Sequence, residues 1–539
     1  IEVPRSHWTR GHTHKTTFNA GKLVPIYFNE DIIPGTTIKM KMSMVLRMST
    51  PLNPTMDNLV ADVFWFRAQK QWYWEHFTNQ MGYNENGAWS NDEIEYLTPV
   101  IKVGESHPVE TGDLLAYMGV PLGAVGAEVD RLGVGMYIDI WNNHFRAQTV
   151  HAPKPIDKTD EDFETDGTIE TGCGLLPVCR KFDYFSGCTP QPQFGSAVPM
   201  PQGDIPVIGT GMTLGLTNTN GTTLTAGLVA NDTTIGNSTL LARINNYGLS
   251  TSEAISGTNG LHAGYGVGVT TDPTKSGLVA KGSEALSATI NALRLSFATQ
   301  RILERMALYG TTYRDILRQF GVQASSEALK IPELLGTRSV PINIETVLQQ
   351  SQTTENSPLG NTGAFSVTAD VDTDFIKSFS THDMIFGLIC VRVDQHTYAQ
   401  GLPRQLTRRR RFDHFWPEYA HIGNTPVLNK ELLFQGNEQD NEVFGYQEAW
   451  QEYMYIPNRV SGEFHPSYAQ SLDVWTYVDD YENLPTLSPD FMEEPIYNID
   501  RTLAVQSELA NQFIADFYFE EDVSAPIPLH RVPGLIDHY

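Results

Sequence analysis

Charge is scarce in this chain of 539 residues, and positive charge scarcer still. Only 19% of residues are charged, and 37 Lys and Arg face 63 Asp and Glu, a formal net charge of −26. Soluble domains usually carry about a quarter charged residues. With so few cations, where they sit matters more than their sum. Cysteine is rarer, at 4 residues. Cys173, Cys179, Cys188 and Cys390 form no C-x-x-C pair, which excludes zinc-ribbon spacing and a disulfide framework and leaves free thiols in a reducing cytoplasm as the plain reading. Long apolar runs are missing: Ile385-Phe386-Gly387-Leu388-Ile389-Cys390-Val391 is far short of the roughly 20 residues of a bilayer span. No secretory signal opens the chain, and it begins at Ile1 rather than Met, so an N-terminal segment is expected to have been processed or to precede Ile1. Aromatics at 10% and hydrophobic patterning along the whole length exclude a disordered or collagen-like chain. At about 150 residues per domain the length allows three or four units and ample core.

Catalytic signatures are missing as well. There is no G-x-x-x-x-G-K-[ST], H-E-x-x-H, G-x-S-x-G or EF-hand loop. Gly264-Tyr265-Gly266-Val267-Gly268 is glycine-rich but does not join a strand to a helix with an acid downstream. His12 and His14 could begin a metal site, yet nothing nearby completes one. Carboxylates crowd 438–494, so Asp440 and Glu448 satisfy a glycosidase by residue type, but their abundance makes chance pairs common. No catalytic residue, metal or cofactor is assigned, and the chain reads as a non-enzyme.

The cations that are present form islands. Residues 1–22 carry Arg5, Arg10, Lys15 and Lys22 against Glu2, a basic N-terminal arm. Arg404 and the run Arg408, Arg409, Arg410 and Arg411 make another island. Acid gathers in 157–170, and in 431–539, where 21 carboxylates meet three arginines. One acidic and one basic surface suit two different environments; plain solvation of polar faces is the competing reading of each cluster.

Strand patterning dominates. Ile38, Met40, Met42, Met44, Leu46 and Met48 alternate with Lys39, Lys41, Ser43, Val45 and Arg47, which predicts a half-buried strand with a basic outer face. Segments 60–66 and 384–393 read as buried strands, and Phe513, Ala515, Phe517 and Phe519 alternate where a closing strand would lie. Strands at both ends with long excursions between them predict a mainly β protein, a sandwich completed by distant segments. Within 203–271 only Asp204, Asp232, Arg243 and Glu253 are charged, with 13 Gly and 14 Thr. This reads as an inserted lobe of short strands and loops; a disordered linker is the alternative. The N-x-[ST] triplets at Asn220, Asn231 and Asn237 follow from that composition. One helix is predicted from Leu286, Ile290, Leu293 and Phe297 onward to Gly310, with Arg294, Arg301 and Arg305 in one stripe. Thr311 is expected to cap a second helix closed by Gly321. The arginine stripe is either a solvated face or a phosphate-contacting one. Trp72-Tyr73-Trp74-Glu75-His76-Phe77 is either core or subunit packing, or a platform for stacked bases.

Ordered blocks along residues 14–480 resemble one family. His14-Lys15-Thr16-Thr17-Phe18-Asn19-Ala20-Gly21, Pro51-Leu52-Asn53-Pro54-Thr55-Met56-Asp57-Asn58, Tyr309-Gly310-Thr311-Thr312-Tyr313, Phe412-Asp413-His414-Phe415-Trp416-Pro417 and Val443-Phe444-Gly445-Tyr446-Gln447-Glu448 are similar to the major capsid proteins of microviruses, gokushovirus branch. The resemblance says little about 172–285. It implies an eight-stranded antiparallel jelly-roll β-sandwich with long insertions and a few helices. The core would run over 1–171 and 286–539, with 172–285 as a surface lobe that forms a threefold spike. It implies a sixty-copy T=1 shell around a circular single-stranded DNA genome. The partners it implies are a small basic DNA-packaging protein, an internal scaffolding protein, a minor DNA-pilot protein and a host surface receptor. Virions assembled in a bacterial cytoplasm follow. Arg5, Arg10, Lys15, Arg294, Arg301, Arg305 and Arg408, Arg409, Arg410 and Arg411 are then candidates to face DNA, or, for the last run, to pair with the acidic stretch of a neighbour. Trp72, Tyr73 and Trp74 are the candidate stacking or interface rings. A β-sandwich carbohydrate enzyme or glycan-binding protein is the alternative.

Overall fold

Strand burial sorts the chain into two sheets. The computed structural model describes residues 4–85, 87, 95–199, 290–351, 353, 359–360 and 362–530, with short strands between 207 and 280. In chain order the long strands are β1 (Ser6–Phe18), β2 (Val24–Ile32), β3 (Thr37–Met48), β4 (Leu59–Gln69), β5 (Glu333–Pro341), β6 (Thr368–Ser378), β7 (Asp383–Val393) and β8 (Phe513–Ala525). One sheet has the order β1-β8-β3-β6 and the other β5-β4-β7-β2. Every pairing is antiparallel. The first strand and the last pair along their whole length, from Ser6 opposite Ala525 to Phe18 opposite Phe513.

The two sheets differ in pattern because they differ in cover. In β3 the six predicted apolar positions are all buried and the positions between them are not, as a strand with one wet face requires. Phe513, Ala515, Phe517 and Phe519 of β8 face the same core. They meet Ala61, Val63 and Trp65 of β4 and Ile385, Ile389 and Val391 of β7. β7 is buried at ten of eleven positions, because the second sheet is covered on both faces. Its other face, with Phe66, Met384, Phe386, Leu388 and Cys390, packs under the 70–145 excursion in a second core. There Leu132–Ile140, labelled α1, is apolar but for Asp139 and almost wholly buried, the form of a core helix. A third core gathers Tyr184, Phe185, Tyr398, Phe444 and Phe491. Gly387 sits where a Cβ would lie 2.8 Å from the Trp65 ring, so that ring packs directly against bare backbone.

The outer face of β3 is not the basic surface its own sequence predicts. The neighbouring strand β8 sets acids beside the lysines: Lys41 reaches Glu520 at 3.5 Å, and Lys39 stands opposite Asp522 in register. Pairing across strands, invisible in β3 alone, neutralises the face.

The helices follow with one shift. α2 runs Ile290–Tyr309 and α3 Tyr313–Gln319; Leu286 lies outside the described residues. The cap of α3 is Thr312, not Thr311: its hydroxyl oxygen accepts the Asp315 N–H at 3.3 Å, and its O–H donates to the Asp315 carboxylate. Three residues beyond Thr311 stands Arg314, which cannot return such a bond, whereas Asp315 can. Gly310 precedes with φ +96°, and a Cβ there would lie 2.6 Å from the same carboxylate.

The chain divides into two compact units, Ile1–Phe194 with Leu303–Tyr539, and Gly195–Ile302. Residues 172–194, grouped with the lobe on motif content, contribute Leu176, Val178, Tyr184 and Phe185 to cores of the first unit. In the second unit the described strands are short, for example Ala242–Asn245 paired with Gly248–Thr251. Asn220, Asn231 and Asn237 lie outside the described residues. Among the described residues no helix is long and apolar enough to cross a membrane.

Phe517 is fully buried at the centre of the first core. Phe517→Ala should lower the unfolding free energy of the unassembled subunit by about 3–5 kcal/mol in denaturant titration. Gly387→Ala should cost about 1–3 kcal/mol by forcing the Trp65 ring away.

Candidate nucleic-acid and assembly surfaces

The basic N-terminal segment is a sheet strand rather than a free arm, and alternation splits its cations. Arg10 turns toward the β8 side that carries buried Glu521, at 2.6 Å. Lys15 turns to the opposite face and meets Asp516 at 3.3 Å. Both charges are answered within the subunit; Arg5, ahead of β1, is exposed. Lys15, Val45, Arg47, Ile514 and Asp516 floor a groove of about 880 Å³, walled by Tyr117, Val120 and Leu122. The Tyr117 hydroxyl donates to the Thr17 carbonyl at 2.9 Å and fixes that wall.

Arg294, Arg301 and Arg305 are exposed on α2, and no residue of that helix is buried. Its apolar positions Ile290, Phe297 and Tyr309 are exposed as well. The run at 408–411 divides. Arg408 folds inward, 3.2 Å from Glu452 and stacked 4.0 Å over the Tyr453 ring. Arg409 and Arg410 are exposed, and their backbone N–H groups donate to Asp413 at 3.0 and 2.7 Å. Arg411 lies 4.9 Å over the Trp416 ring.

Trp72, Tyr73 and Trp74 are corrected to core. All three are buried among the residues of the second core, just past the end of β4, where the Tyr73 ring stands beside Gly135 of α1. The Tyr73 hydroxyl donates to Asp139 at 2.9 Å, and Trp74 Nε1 donates to Asp160 at 2.6 Å. Such rings are closed to bases and to a neighbouring chain. The acidic 157–170 stretch is an internal strap: Asp157 pairs with Arg131 at 3.5 Å, Asp162 with Lys102 at 3.1 Å and Asp160 with His76 at 2.9 Å. Asp440 is no glycosidase acid; its carboxylate accepts the N–H groups of Gln435, Gly436 and Asn437.

One charged cluster has no signal in the sequence. His396 is fully buried between Asp479 at 3.3 Å and Glu494 at 3.1 Å. Asp479 also holds Arg180 at 3.3 Å. Burial opposes the imidazolium, but the two carboxylates outweigh it and hold His396 up to about 9. Burial likewise opposes the Asp479 charge, and His396 with Arg180 brings it down to about 2. These residues come from four distant segments, so no local motif could reveal them. A second perturbed group is the half-buried Glu30, pushed up to about 8 by desolvation, by its hydrogen bond with Asp130 and by repulsion from it.

Two four-stranded sheets, three cores and a surface with a few exposed arginines and many exposed apolar side chains define a structural β-sandwich protein, one built to meet other molecules. The chain belongs to the phage family described as Capsid protein (F protein), which matches residues 1–535. It is 32% identical to capsid protein VP1 of Bdellovibrio phage phiMH2K over 543 residues, 100% of this chain and 97% of that protein. It is 32% identical to capsid protein VP1 of Spiroplasma virus 4 over 553 residues, covering 99% and 96%. With capsid protein VP1 of Chlamydia phage 1 the identity is 29% over 577 residues, covering 99% and 96%. The resemblance to microvirus major capsid proteins thus holds over the full chain: this is a structural capsid protein and not an enzyme.

The buried titrating groups set a pH slope. A raised His396 contributes stability in full below its unfolded value near 6.5, and the contribution is lost as pH rises through about 9. A raised Glu30 acts in the same sense, with stability falling from about pH 4.5 to 8. Melting temperatures of the subunit should therefore fall with rising pH. His396→Gln should flatten the part between pH 6.5 and 9, and Glu30→Gln the part between 4.5 and 8; an unchanged slope in both would show that neither group carries it.

Proposed function

We propose that this capsid protein is an eight-stranded jelly roll, sixty copies of which close into a small T=1 icosahedral shell around a circular single-stranded DNA genome. The strand orders β1-β8-β3-β6 and β2-β7-β4-β5 carry the reading, because successive strands alternate between two sheets except at β4 and β5, which pair with each other, and the first and last strands join in one of them. Shell building also accounts for the excursions at 70–332 and 394–512: a closed assembly needs several distinct contacts per copy, and the sandwich tolerates long loops because its sheets already hold the core.

Electrostatics sets the partners. Both the subunit and DNA are acidic, so packaging requires inward cations or a separate cation carrier. The small basic DNA-packaging protein fills the second role. For the first, Arg10, Lys15 and Arg408 are spent on internal pairs. Arg5, Arg294, Arg301 and Arg305 are exposed with no ion pair among the described residues, and these are the DNA-facing set. Contact is through phosphates without sequence readout, and weakens steeply with salt. An internal scaffolding protein and a minor DNA-pilot protein complete the assembly, which takes place in the cytoplasm of a bacterial host. The inserted lobe gathers as a spike at the threefold axes and binds the host surface receptor; its weak charge and separate compactness support this role.

Purified protein should sediment as megadalton particles, and electron images should show shells; a lone 60 kDa species under every condition would end the reading. Arg294→Glu, Arg301→Glu and Arg305→Glu together should lower DNA per particle, read as the 260/280 nm absorbance ratio, while shells still form; unchanged DNA content would remove α2 from the lining. Deleting 203–271 should leave a soluble, cooperatively melting subunit whose particles adsorb poorly to host cells.

A further inference from the structure

The segment from Arg404 to Trp416 and the turn around Trp450 build a platform whose rings and aliphatic side chains stand exposed among the described residues. Trp450 anchors it from an unusual backbone: with φ 70° it is one of two non-glycine residues at positive φ among the described residues. A bulky residue stays there only where its surroundings hold it, and such positions gather at functional sites. The Trp450 Nε1 donates to the Tyr419 carbonyl at 2.8 Å. Its ring meets Phe415 edge-on at 5.6 Å. The Tyr453 hydroxyl accepts the Phe415 N–H at 3.0 Å, and Trp416 Nε1 donates to the Arg411 carbonyl at 3.1 Å. These bonds lock the rings into one surface.

What that surface shows to solvent is apolar. Phe412 is 62% exposed, Met454 83% and Ile456 76%, with Leu406 and Ile422 exposed beside them. Exposed apolar side chains gathered on two neighbouring segments in this way mark a binding face. Arg409 and Arg410 project from it with no ion pair among the described residues.

Resting on the capsid reading, we propose that this platform is a contact between copies of the chain, and that it receives the acidic 431–539 stretch of the neighbouring copy. Two observations favour a protein partner over DNA. The rings are already engaged within the subunit: Arg411 lies over Trp416, and Phe412 and Phe415 pack edge-to-face with Tyr419 and Trp450. Exposed aliphatic and Met side chains around Arg and aromatics are the composition of a protein interface core, whereas a single-stranded DNA channel pairs cations with free ring faces. Charge selects the occupant. The 431–539 stretch holds 21 carboxylates against three arginines, and Glu438, Glu442 and Glu482 are exposed on it, so the same chain carries both halves of the contact.

The test uses the full chain in two variants, Arg409→Glu with Arg410→Glu, and Met454→Asp with Ile456→Asp. All four side chains are exposed, so the subunit should melt as the unmodified protein does. Particle yield, read by sedimentation, should fall by roughly tenfold or more in both. Normal yield with normal DNA content would overturn the proposal. Normal yield with less DNA per particle would overturn it in favour of a genome-facing role. Unmodified protein that forms no particles would instead bring down the capsid reading and this proposal with it.

Discussion

The subunit depends on a single pairing: the last strand, β8, lies between the first strand and β3, and both sheet edges and core follow from it. Without β8, β1 would have no neighbour in its sheet and the buried row of β3 would lose Phe513, Phe517 and Phe519 as cover. Burying a large apolar side chain is worth about 1.5–3 kcal/mol, so those three rings alone rival the net stability of an ordinary domain. The cost is kinetic. Residues some five hundred positions apart must meet before the first sheet exists, and such non-local pairing is slow. The chain is therefore nearly complete before its first sheet can close.

Because the sandwich is closed in this way, the excursions are free to differ in task. The one at 70–145 covers the far face of the second sheet and builds a core of its own. That cover is what keeps β4 and β7 buried along nearly their whole length. The excursion after β7 forms the third core and the aromatic platform. A structural protein that must touch several neighbours gains its contact surfaces from these additions, while the sheets supply rigidity.

Electrostatics inside the subunit follows one rule: acids outnumber cations, so nearly every well-placed cation finds a partner. Arg67 meets Glu327, Glu333 and Asp383; Arg131, Lys102 and His76 pin the acidic strap; Arg180 and His396 neutralise Asp479 and Glu494 in the interior. Breaking such buried groups apart is costly because the remaining charge is stranded. The arginines left exposed are few, which is why their positions carry so much of the functional argument.

Sequence by itself determined the local terms. Period-two burial in β3 and β8, the continuous run of β7 and the glycine-closed helices were legible because each depends on neighbours two to four residues away. The mainly β class and the capsid family were legible, the second because ordered blocks run along the chain. α1 was not: a short run such as Leu132–Ile140, apolar but for Asp139, has no period that separates helix from strand. Tertiary structure alone decided the rest. It buried Trp72, Tyr73 and Trp74, which the sequence left open between core and stacking, because the fate of a ring depends on what packs over it. It neutralised Lys39, Lys41, Arg10 and Lys15 by setting β8 beside β3 and β1, and it assembled His396, Asp479, Glu494 and Arg180 from distant segments. Charge and burial act through space, and distances through space are fixed only once the first and last strands have met.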